Sequence, residues 1–499
     1  MRVLFPAPSG PSNVMNTLAR IHWRDTMEES QMVAELGRLI DPVRVLTGSA
    51  VKRAYEHDAY TVEKFPPSAV VLPETTSEVA SIVKWCSEKQ VPFTPRGAGT
   101  GLSGGAMPAL GGVVISTKRM TSIIELNSVD QWAHVQSGTV NLRLTKAAQH
   151  FGLHFAPDPS SQSVSTIGGN IAENSGGPHT LKYGVTTQHV LGVKIVVSGG
   201  EVLCVGGPDG IPPGYDVLSL VIGSEGTLGV VTEAWGRLTP NPVAVETALI
   251  SFGSIRAASE AVSTIVKSGV IPAALEMMDR HVIHAVRDAF GLQYPDGMEA
   301  MLLVECDGEP HAAKQELEEI IQMVQSAIDV RIAQNEIERA ELWKARKKGI
   351  GALGRIAPTV VTHDGVIPPS RLPEMLDVVY GVAEKHGLIV GNIFHAGDGN
   401  LHPIFCFDER EPGKIDAVVL AGEEVIENCI ELGGSVTGEH GVGVEKSALL
   451  VKQFDAESLV WQGKVREVFG ANELCNPCKM IPDAKGCIEH KVRWRGAAT

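Results

Sequence analysis

The feature that most constrains the fold is a glycine-dense loop between two β-prone segments. Residues 96–108 read RGAGTGLSGGAMP. Gly99, Gly101 and Gly104 match the G-x-G-x-x-G spacing of dinucleotide-binding loops, but that fold requires a helix to begin within the motif. Here more glycine and proline follow, and then the strand-like residues 113–116. This excludes a Rossmann arrangement, whereas a loop between two strands can still wrap successive amides around a pyrophosphate.

Two further glycine-rich segments follow in the first half of the chain. Residues 167–177 read IGGNIAENSGG, and residues 222–229 read IGSEGTLG. Small residues let the backbone approach a flat ligand closely, and Asn170 and Asn174 can supply hydrogen bonds to it. Three glycine-rich segments separated by strands therefore predict one extended cofactor that is held along its length.

Two histidines in the second half are spaced as metal ligands. Residues 388–395 and 401–407 are apolar and β-prone, and the turn-forming GDGN lies between them. In a hairpin closed by those four residues, His395 and His402 would lie directly opposite each other on one face, with Cβ atoms roughly 5 Å apart. From this pair alone, two hydrogen-bonded histidines in a hairpin are an equally good interpretation.

A second motif favours the metal site. Residues 435–443 read SVTGEHGVG, which places Glu439 and His440 in a loop whose glycines let adjacent side chains point at different targets. His395, His402 and Glu439 together form the two-histidine, one-carboxylate set of an open divalent site. His440 then remains available as a general base.

Strand and helix signals alternate along both halves of the chain, whose 499 residues are enough for two or three domains. The first half opens with a strand–helix–strand unit, whose helix is predicted over residues 77–89 with Ser77 as N-cap. The second half alternates strands and helices in the pattern of an antiparallel, ferredoxin-like α/β sandwich. Its strands are predicted at residues 248–252, 274–278, 301–307 and 330–333, and one of its helices at residues 280–290.

Charge and cysteine usage narrow the partners and the compartment. A formal net charge of -15 argues against nucleic acid as a partner, although a local cation can still bind an anionic substrate. The eight cysteines are scattered, mostly in apolar segments, which is typical of reduced thiols in a cytoplasmic protein. No apolar run is long enough to span a bilayer. We expect a cytoplasmic location, with peripheral attachment to the inner membrane face as the alternative.

Taken together, the motifs resemble the FAD-linked 2-hydroxy acid oxidoreductases of the vanillyl-alcohol-oxidase type. The resemblance runs over residues 28–482 in the family's motif order, and it is strongest to the branch of bacterial glycolate oxidase FAD subunits and D-lactate dehydrogenases. The motifs that carry it are RGAGTGLSGG, PDPSSQ, GGNIAENSGG, GSEGTLG, FHAGDGNLHP, GEHGVG and the closing Asn476-Pro477.

The resemblance implies an α+β fold with two main parts. Residues 66–242 would form a two-part FAD-binding domain of the vanillyl-alcohol-oxidase (PCMH) type, and residues 243–484 an α/β substrate, or cap, domain. Residues 1–65 would be a partly helical N-terminal segment and residues 485–499 a tail. FAD would bind non-covalently, with its pyrophosphate on residues 96–105 and its ring between the domains. The candidate flavin contacts are Pro95, Arg96, Gly97, Ala98, Gly99, Thr100, Gly101, Ser103, Gly104, Pro157, Asp158, Ser161, Gly168, Gly169, Asn170, Asn174, Ser175, Gly176, Glu225 and Gly226.

The substrate contacts follow partly from the same resemblance. Arg346 falls where the family has an arginine for the substrate carboxylate, a role that suits a planar guanidinium. Lys347 beside it and Asn400 in the histidine turn are further candidates. The sequence departs from the family at Pro369, where relatives have arginine, and at Cys478, where they have glycine. The first departure bears on substrate preference and the second on local backbone.

The expected reaction is FAD-dependent oxidation of a short 2-hydroxy acid, glycolate or D-lactate, to the 2-oxo acid. A divalent ion (zinc, manganese or iron) on His395, His402 and Glu439 would lower the pKa of the substrate hydroxyl. His440 would take the proton while hydride passes from C2 to the flavin.

The chain has no iron–sulfur motif of its own, so the resemblance implies that a separate iron–sulfur subunit, cytochrome or quinone-linked partner accepts the electrons. Two alternatives remain open. Oxidation of D-2-hydroxyglutarate would need an additional cation for the distal carboxylate. A non-catalytic FAD-binding subunit of a larger oxidase would be expected to lose the metal and base residues. A metallohydrolase would explain the histidines and Glu439 but not the glycine-rich loops.

Overall fold

The computed structural model describes residues 27–210, 213–470 and 474–482. The predicted tail, residues 485–499, and the first 26 residues of the predicted N-terminal segment lie outside this part of the chain. Within the described ranges, no helix combines the length and the apolar character that crossing a membrane requires.

The first sheet has four strands in the order β1-β2-β4-β3, and β2, β4 and β3 run parallel. Its strands are β1 (Val45–Leu46), β2 (Ala69–Val71), β3 (Phe93–Arg96) and β4 (Val113–Ser116), and its helices are α1 (Glu29–Leu36), α2 (Ser49–Tyr55) and α3 (Thr76–Glu88). The predicted strand–helix–strand unit is confirmed as β2-α3-β3. The predicted N-cap Ser77 is wrong, because Thr75 has the extended backbone of a cap and its side chain accepts from the amide of Glu78.

The second sheet is antiparallel, with the strand order β5-β6-β10-β8-β9. Strands β8 and β9 form a hairpin, with Val196 opposite Val202. Helix α5 was not predicted, because its glycines suggest a loop; Thr166 caps it by accepting from the amide of Gly169. The strands here are β5 (Ile123–Asn127), β6 (Trp132–Gln136), β7 (Leu153–His154), β8 (Val190–Val196), β9 (Val202–Gly206), β10 (Val230–Arg237) and β11 (Thr239–Pro240). The helices are α4 (Asn141–Ala148), α5 (Ile167–Glu173), α6 (Thr180–Tyr183), α7 (Thr186–His189) and α8 (Leu218–Val221).

The second half is built on one large antiparallel sheet whose central order is β15-β12-β14-β13-β18. The predicted α/β sandwich is confirmed, since strands β12 to β15 alternate with helices α9 to α11. The strands are β12 (Ala244–Phe252), β13 (Ala274–Asp279), β14 (Ala300–Gly308), β15 (Ala327–Ile332), β16 (Thr359–Thr362), β17 (Gly365–Val366), β18 (Ile389–His395), β19 (Asn400–Leu401) and β20 (Pro403–Phe407). The helices are α9 (Ile255–Ser268), α10 (Arg280–Phe290), α11 (Pro310–Met323), α12 (Glu336–Leu353), α13 (Leu372–Lys385), α14 (Lys414–Glu431), α15 (Leu450–Gln453) and α16 (Ala456–Val468).

This large sheet is buried on both faces, because successive side chains of a strand point to opposite sides. Ile250 packs into one apolar core with Val262 of α9 and Leu317 of α11. Its neighbour Leu249 packs into the opposite core with Val282 of α10. The sheet is therefore a rigid layer from which the end of β18 presents side chains toward the first half.

The segment 474–482 returns from the second half to the first. Leu474 and Cys475 are buried in the core of the first half, and Cys475 forms a parallel bridge with Phe93 of β3. The side-chain amide of Asn476 donates to the carbonyls of Gly105 and Glu225, at 2.9 and 2.7 Å. This segment therefore ties two glycine-rich loops together.

One cysteine of that segment departs from the expected reduced state. Cys478 takes part in a disulfide bond, so the prediction of reduced thiols is wrong at this residue. Its φ of 61° lies in the left-handed region, which glycine, the residue that the family resemblance implies here, adopts with least strain. The free cysteines among the described residues are Cys86, Cys204, Cys306, Cys406, Cys429 and Cys475.

Candidate functional site

A cavity of about 1440 Å³, including its open mouth, lies between the two halves. Glycine-rich segments of the first half form one wall, and side chains from α12, β18 and the Glu439 loop form the other. Predicted flavin contacts that line it are Pro95, Arg96, Gly97, Ala98, Gly99, Thr100, Gly101, Ser161, Gly168, Gly169, Asn170, Ser175, Glu225 and Gly226.

The other predicted flavin contacts are not among the lining residues; we call them the supporting group, because three of them bind neighbouring segments. The hydroxyl of Ser103 donates to the carbonyl of His440 at 2.9 Å. The carboxylate of Asp158 binds His179 at 2.7 Å, and the side-chain oxygen of Asn174 accepts from the amide of Thr187. The residues in this supporting group are Ser103, Gly104, Pro157, Asp158, Asn174 and Gly176.

Several residues that line the cavity were not predicted from the sequence. Some lie within the quoted motifs, such as Gly105 in RGAGTGLSGG and Ser160 in PDPSSQ, but were not among the predicted contacts. Others, such as Thr117 and Val221, come from segments with no motif. The missed residues are Leu102, Gly105, Ala106, Thr117, Pro159, Ser160, Ser165, Thr166, Ala172, Glu173, Val221, Ser224, Gly229, Val230, Val231, Ile350, Thr362 and Ile393.

The cavity walls fit a flavin nucleotide. A Cβ atom at Gly97 would collide with the hydroxyl of Thr166, so only glycine lets these two segments approach each other. Asn170 Nδ2 and Glu173 Oε2 are buried polar atoms with no hydrogen-bond partner among the described residues, and both residues line the cavity. Buried polar atoms without partners are costly, and a polar ligand would satisfy them.

The predicted metal ligands converge. Nε2 of His395 and Nε2 of His402 each lie 3.1 Å from Oε1 of Glu439. On its other side, His395 Nδ1 lies 2.5 Å from Oε1 of Glu276, and His402 Nδ1 lies 3.6 Å from Oδ1 of Asp364. A carboxylate hydrogen-bonded behind the imidazole, as at His395, is typical of histidines that bind a metal through the opposite nitrogen. Nδ1 of His402 faces Asp364 without a hydrogen bond. The donor set therefore fits a divalent ion at the shared Nε2 side.

The predicted hairpin register is wrong by two residues. His395 pairs with Asn400 rather than with His402, so the loop comprises residues 396–399. Gly399 has a φ of 77° and would collide with the carbonyl of Ile367 if it had a side chain. Because side chains alternate with a period of two, a two-residue shift leaves both histidines on the same face. Their ring centroids are 5.2 Å apart.

The ligand side chains carry compensating charges. Burial would raise the pKa of Glu439, but His395 and His402 hold it well below its usual range. Burial would lower the pKa of His395, but Glu276 and Glu439 raise it well above its usual range. The carboxylates thus favour positive charge at the point where the Nε2 atoms meet, as a cation site requires.

Asp364, which was not predicted from the sequence, organises the loop that carries Glu439. Its buried carboxylate accepts from the amides of Gly438 and His440, at 2.9 and 3.2 Å, and binds Nζ of Lys446 at 3.3 Å. Asp364, His402 and His440 also lie close enough to share an ion. Since the donors already surround Asp364, His395, His402 and Glu439 form the better metal site.

His440 has the properties of a proton acceptor. Its ring stacks on that of His402, with centroids 4.6 Å apart and planes at 5°, and it lines the cavity. Burial lowers the pKa of His440 to about 4, so the ring is neutral at pH 7. Nε2 lies 3.9 Å from Oε1 of Glu439, next to the candidate metal position.

The predicted substrate residues lie in three different environments. Arg346 is buried, lines the cavity and pairs through Nε with Glu276, which also binds His395. Lys347 is exposed, and its Nζ lies 5.8 Å from the ring centroid of Trp343. Asn400 is buried against Gly438 and does not appear among the cavity-lining residues. Arg346 is thus the substrate candidate that the structure brings to the cavity.

Glu276, which was not predicted from the sequence, links the substrate candidate Arg346 to the metal-ligand candidate His395. It lies in β13, in the buried run ALEMMD. An acidic side chain inside a buried strand was the available signal, because such a charge needs a partner. The partners, Arg346 and His395, are distant in sequence, so their identity could not be predicted.

Comparisons with known proteins agree with this arrangement. The family model "FAD binding domain" matches residues 67–206, and "FAD linked oxidases, C-terminal domain" matches residues 241–480. The chain is 41% identical to the glycolate oxidase subunit GlcD of Escherichia coli (strain K12), over 87% of this chain and 88% of that one. It is 38% identical to GlcD of Bacillus subtilis (strain 168), over 87% and 93%. It is 32% identical to a D-lactate dehydrogenase of Anaerostipes hadrus, over 88% and 95%.

Solved structures share the fold at low sequence identity. 4-Ethylphenol oxidase from Gulosibacter chungangensis has a TM-score of 0.75 at 18% identity, over 91% of this chain and 97% of that one. p-Cresol methylhydroxylase has a TM-score of 0.73 at 15% identity, over 91% and 98%. These similarities confirm the predicted two-part FAD-binding fold with a second α/β domain.

Proposed function

We propose that this chain, which belongs to the family of FAD-linked oxidases, oxidises a short 2-hydroxy acid to the 2-oxo acid. The acid is glycolate or D-lactate. The chain is a flavin-dependent oxidoreductase by family. The names of its relatives, a glycolate oxidase subunit and a D-lactate dehydrogenase, support the substrate class.

The observation that carries this proposal is that one cavity joins two kinds of site. The glycine-rich loops of the first half and the side chains of His402, Glu439 and His440 line the same space. A flavin bound along those loops would share the cavity with a substrate bound at these side chains. The arrangement supports a direct transfer between the two, because reacting groups must be held in contact.

The chain's own residues would bind the substrate and take its proton. FAD, when bound, supplies the hydride acceptor, and a divalent ion on His395, His402 and Glu439 supplies Lewis-acid chemistry. Arg346 would hold the substrate carboxylate through its Nη atoms, because Nε is engaged by Glu276. His440 would accept the hydroxyl proton at Nε2, the nitrogen that faces Glu439.

The charge of the cavity favours a substrate with one carboxylate. Besides Arg346, the residues from the second half that line it include the uncharged Ile350, Thr362 and Ile393. Among the described lining residues, the lysine and arginine side chains are those of Arg346 and Arg96, and Arg96 lies on the flavin loop. D-2-Hydroxyglutarate would need a further cation near Arg346, so this substrate is disfavoured. The retained cluster of histidines and Glu439 likewise disfavours a non-catalytic subunit.

We further propose that a separate protein accepts the electrons. The relatives in Escherichia coli and Bacillus subtilis are named as subunits, which supports an assembly with at least one other chain. An iron–sulfur or quinone-linked partner fits this role, because the flavin must be reoxidised after each turnover.

The test is anaerobic mixing of the flavin-loaded protein with glycolate, D-lactate, L-lactate or D-2-hydroxyglutarate. We expect glycolate or D-lactate to bleach the visible flavin absorbance, and prior metal chelation to prevent it. Bleaching that survives complete removal of the ion would contradict the metal's role. A flavin-loaded protein that none of the acids bleaches would contradict the substrate class.

A further inference from the structure

Strand β15 forms an open edge of the large sheet. Among the described strands it pairs with β12, and it stands at the end of the strand order. Residues 328–332 are all exposed. An exposed edge strand presents unpaired amides and carbonyls that another strand can bind.

The exposed residues of β15 alternate between apolar and charged. Ile328, Val330 and Ile332 have 48%, 36% and 38% of their surfaces exposed. Asp329 and Arg331 alternate with them and therefore point to the opposite face. The strand thus leaves an apolar stripe in solvent at the rim of a sheet that is otherwise buried on both faces.

The outward direction of the backbone groups follows from the pairing with β12. Ala333 donates to the carbonyl of Thr247 at 2.9 Å, and the register is regular from Asp329 to Ile332. In an antiparallel ladder, hydrogen-bonded and non-hydrogen-bonded pairs alternate. Asp329 and Arg331 therefore bond to β12, and the backbone groups of Val330 and Ile332 point away from the sheet.

The strand is complementary to itself about Val330. It reads Ile-Asp-Val-Arg-Ile from residue 328 to residue 332, which has the same apolar pattern in both directions and opposite charges at mirrored positions. When two copies pair antiparallel about Val330, Asp329 of each faces Arg331 of the second copy. Ile328 likewise faces Ile332 of the second copy.

We propose that β15 is the interface of a two-fold symmetric dimer in which two copies of this chain join their large sheets edge to edge. Val330 of each copy forms the central hydrogen-bonded pair, because its backbone groups point outward. Asp329 and Arg331 then occupy non-hydrogen-bonded positions, where facing side chains lie closest and opposite charges attract. The same patch serves both copies, as a closed dimer requires. This proposal is independent of the reaction that the chain catalyses.

Charge exchange tests the register. By sedimentation velocity of the flavin-loaded protein, we expect Asp329→Arg to raise the dimer dissociation constant by about tenfold, because it places like charges opposite each other at two symmetric positions. Arg331→Asp should act similarly, and the double variant with both changes should restore the wild-type constant. Arg331 also pairs with Glu341 at 3.2 Å within one copy, so Glu341→Gln is the control and should leave the dimer unchanged.

Disulfide trapping tests the symmetry axis. Val330→Cys should cross-link on mild oxidation, since the Cα atoms of a hydrogen-bonded pair lie about 5.5 Å apart, within reach of a disulfide. The variant is made with Cys204→Ser, because Cys204 is an exposed free thiol. Ile337→Cys, which lies 75% exposed beyond the strand, is the control and should not cross-link.

A monomer at all concentrations would overturn the proposal, and Asp329 and Arg331 would then be charges that protect a free edge. A dimer that resists both charge changes and fails to cross-link at Val330→Cys would also overturn it, since the interface would lie elsewhere.

Discussion

His440 is placed to accept a proton because a neutral, buried imidazole lies beside the candidate metal position. We predict that His440→Gln lowers the rate of flavin reduction by the hydroxy acid by roughly 10²- to 10⁴-fold, the usual contribution of a general base. The measurement is anaerobic stopped-flow of flavin absorbance.

Flavin content and ion content of the His440→Gln protein are the controls, and both should match the wild type. A variant that is reduced at the wild-type rate would remove His440 as the base.

Glu276 is predicted to support the ion through His395. Because Glu276 fixes the orientation and the tautomer of the His395 ring, Glu276→Gln should weaken ion binding by about 10- to 100-fold. Ion content after dialysis against buffered free zinc measures this change.

Lys347→Ala alters an exposed neighbour of Arg346 and serves as the matched control, with unchanged ion content expected. Equal zinc affinity in Glu276→Gln and the wild type would show that the carboxylate does not support the ligand.

Single residues differed in how well the sequence predicted them. His395, His402, Glu439 and His440 lie in two short motifs, and the structure brings their side chains together as the motif spacing predicted. Glu276 contacts those residues from β13 and Asp364 from the short segment between β16 and β17, and neither carries a local motif. Their roles depend on contacts between residues that are far apart in the chain, and no local sequence pattern predicts such contacts.

At the scale of elements, loops from the two halves are joined by hydrogen bonds to one carboxylate. Glu225 was predicted to contact the flavin, and it lines the cavity, but its carboxylate also accepts from the amides of Val442 and Gly443, at 2.6 and 2.7 Å. Its own φ of 51° is unusual for a residue with a side chain. Glu225 therefore holds the loop that carries Glu439 and His440.

We predict that Glu225→Gln loosens that loop, because an amide replaces a charged acceptor of two buried amides, at a cost of about 1.5 to 3 kcal/mol. Hydrogen exchange of residues 438–444 should become faster, while exchange in β12 stays the same.

The control is Glu201→Gln, which changes an exposed residue in the turn of the β8–β9 hairpin. It should leave the hydrogen exchange of residues 438–444 unaltered. Unchanged exchange in Glu225→Gln would mean that other contacts hold the loop.

Helices and strands were predictable where apolar residues recur with a regular period. They were less predictable where the geometry of a turn sets the register. Helix α10 was predicted with its observed bounds, Arg280–Phe290, because its apolar face is regular and Asp279 caps it. The register of the β18–β19 hairpin was not predicted correctly, because the sequence GDGN can close a hairpin in more than one register. Helix α5 was missed because glycine disfavours helices, although tertiary packing against Ser137 stabilises it here.

At the scale of the whole molecule, a charged histidine joins the two halves. His179 lies 2.7 Å from Asp158 in the first half and 3.1 Å from Glu305 in the second. Burial alone would lower the pKa of His179, but these two carboxylates raise it well above its usual range. Arg339 also binds Glu305, at 2.7 Å, so the carboxylate has a second cationic partner.

A histidine whose pKa is higher in the folded than in the unfolded protein stabilises the fold. This stabilisation is complete at pH values below the pKa of the unfolded state, near 6.5, and is lost as the pH rises through the pKa of the folded state. We predict that the thermal midpoint of the wild type falls on the alkaline side and that His179→Gln removes this part of the decline. The measurement is thermal unfolding at a fixed scan rate from pH 6 to pH 10.

The control is Glu201→Gln, which lies away from both carboxylates and should retain the wild-type profile. Parallel profiles for His179→Gln and the wild type would show that His179 does not carry this dependence.

The two-part architecture was predictable at this scale because the motifs occur in the family's order. The return of residues 474–482 to the first half was not predictable, since Cys475 and Phe93 are far apart in sequence and neither position has a pairing signal.

That return affects how the protein is made. On the ribosome the first half emerges long before the segment that completes its core. Phe93 cannot pair with Cys475 until several hundred more residues have been synthesised. At about 5 to 20 residues per second, this delay is roughly 20 to 80 s. During that time the nascent chain lacks the bonds that Asn476 makes to the carbonyls of Gly105 and Glu225. Capture of the flavin nucleotide is thus best completed after residues 474–482 have been synthesised, and a chain terminated before them would leave this part of its core unfinished.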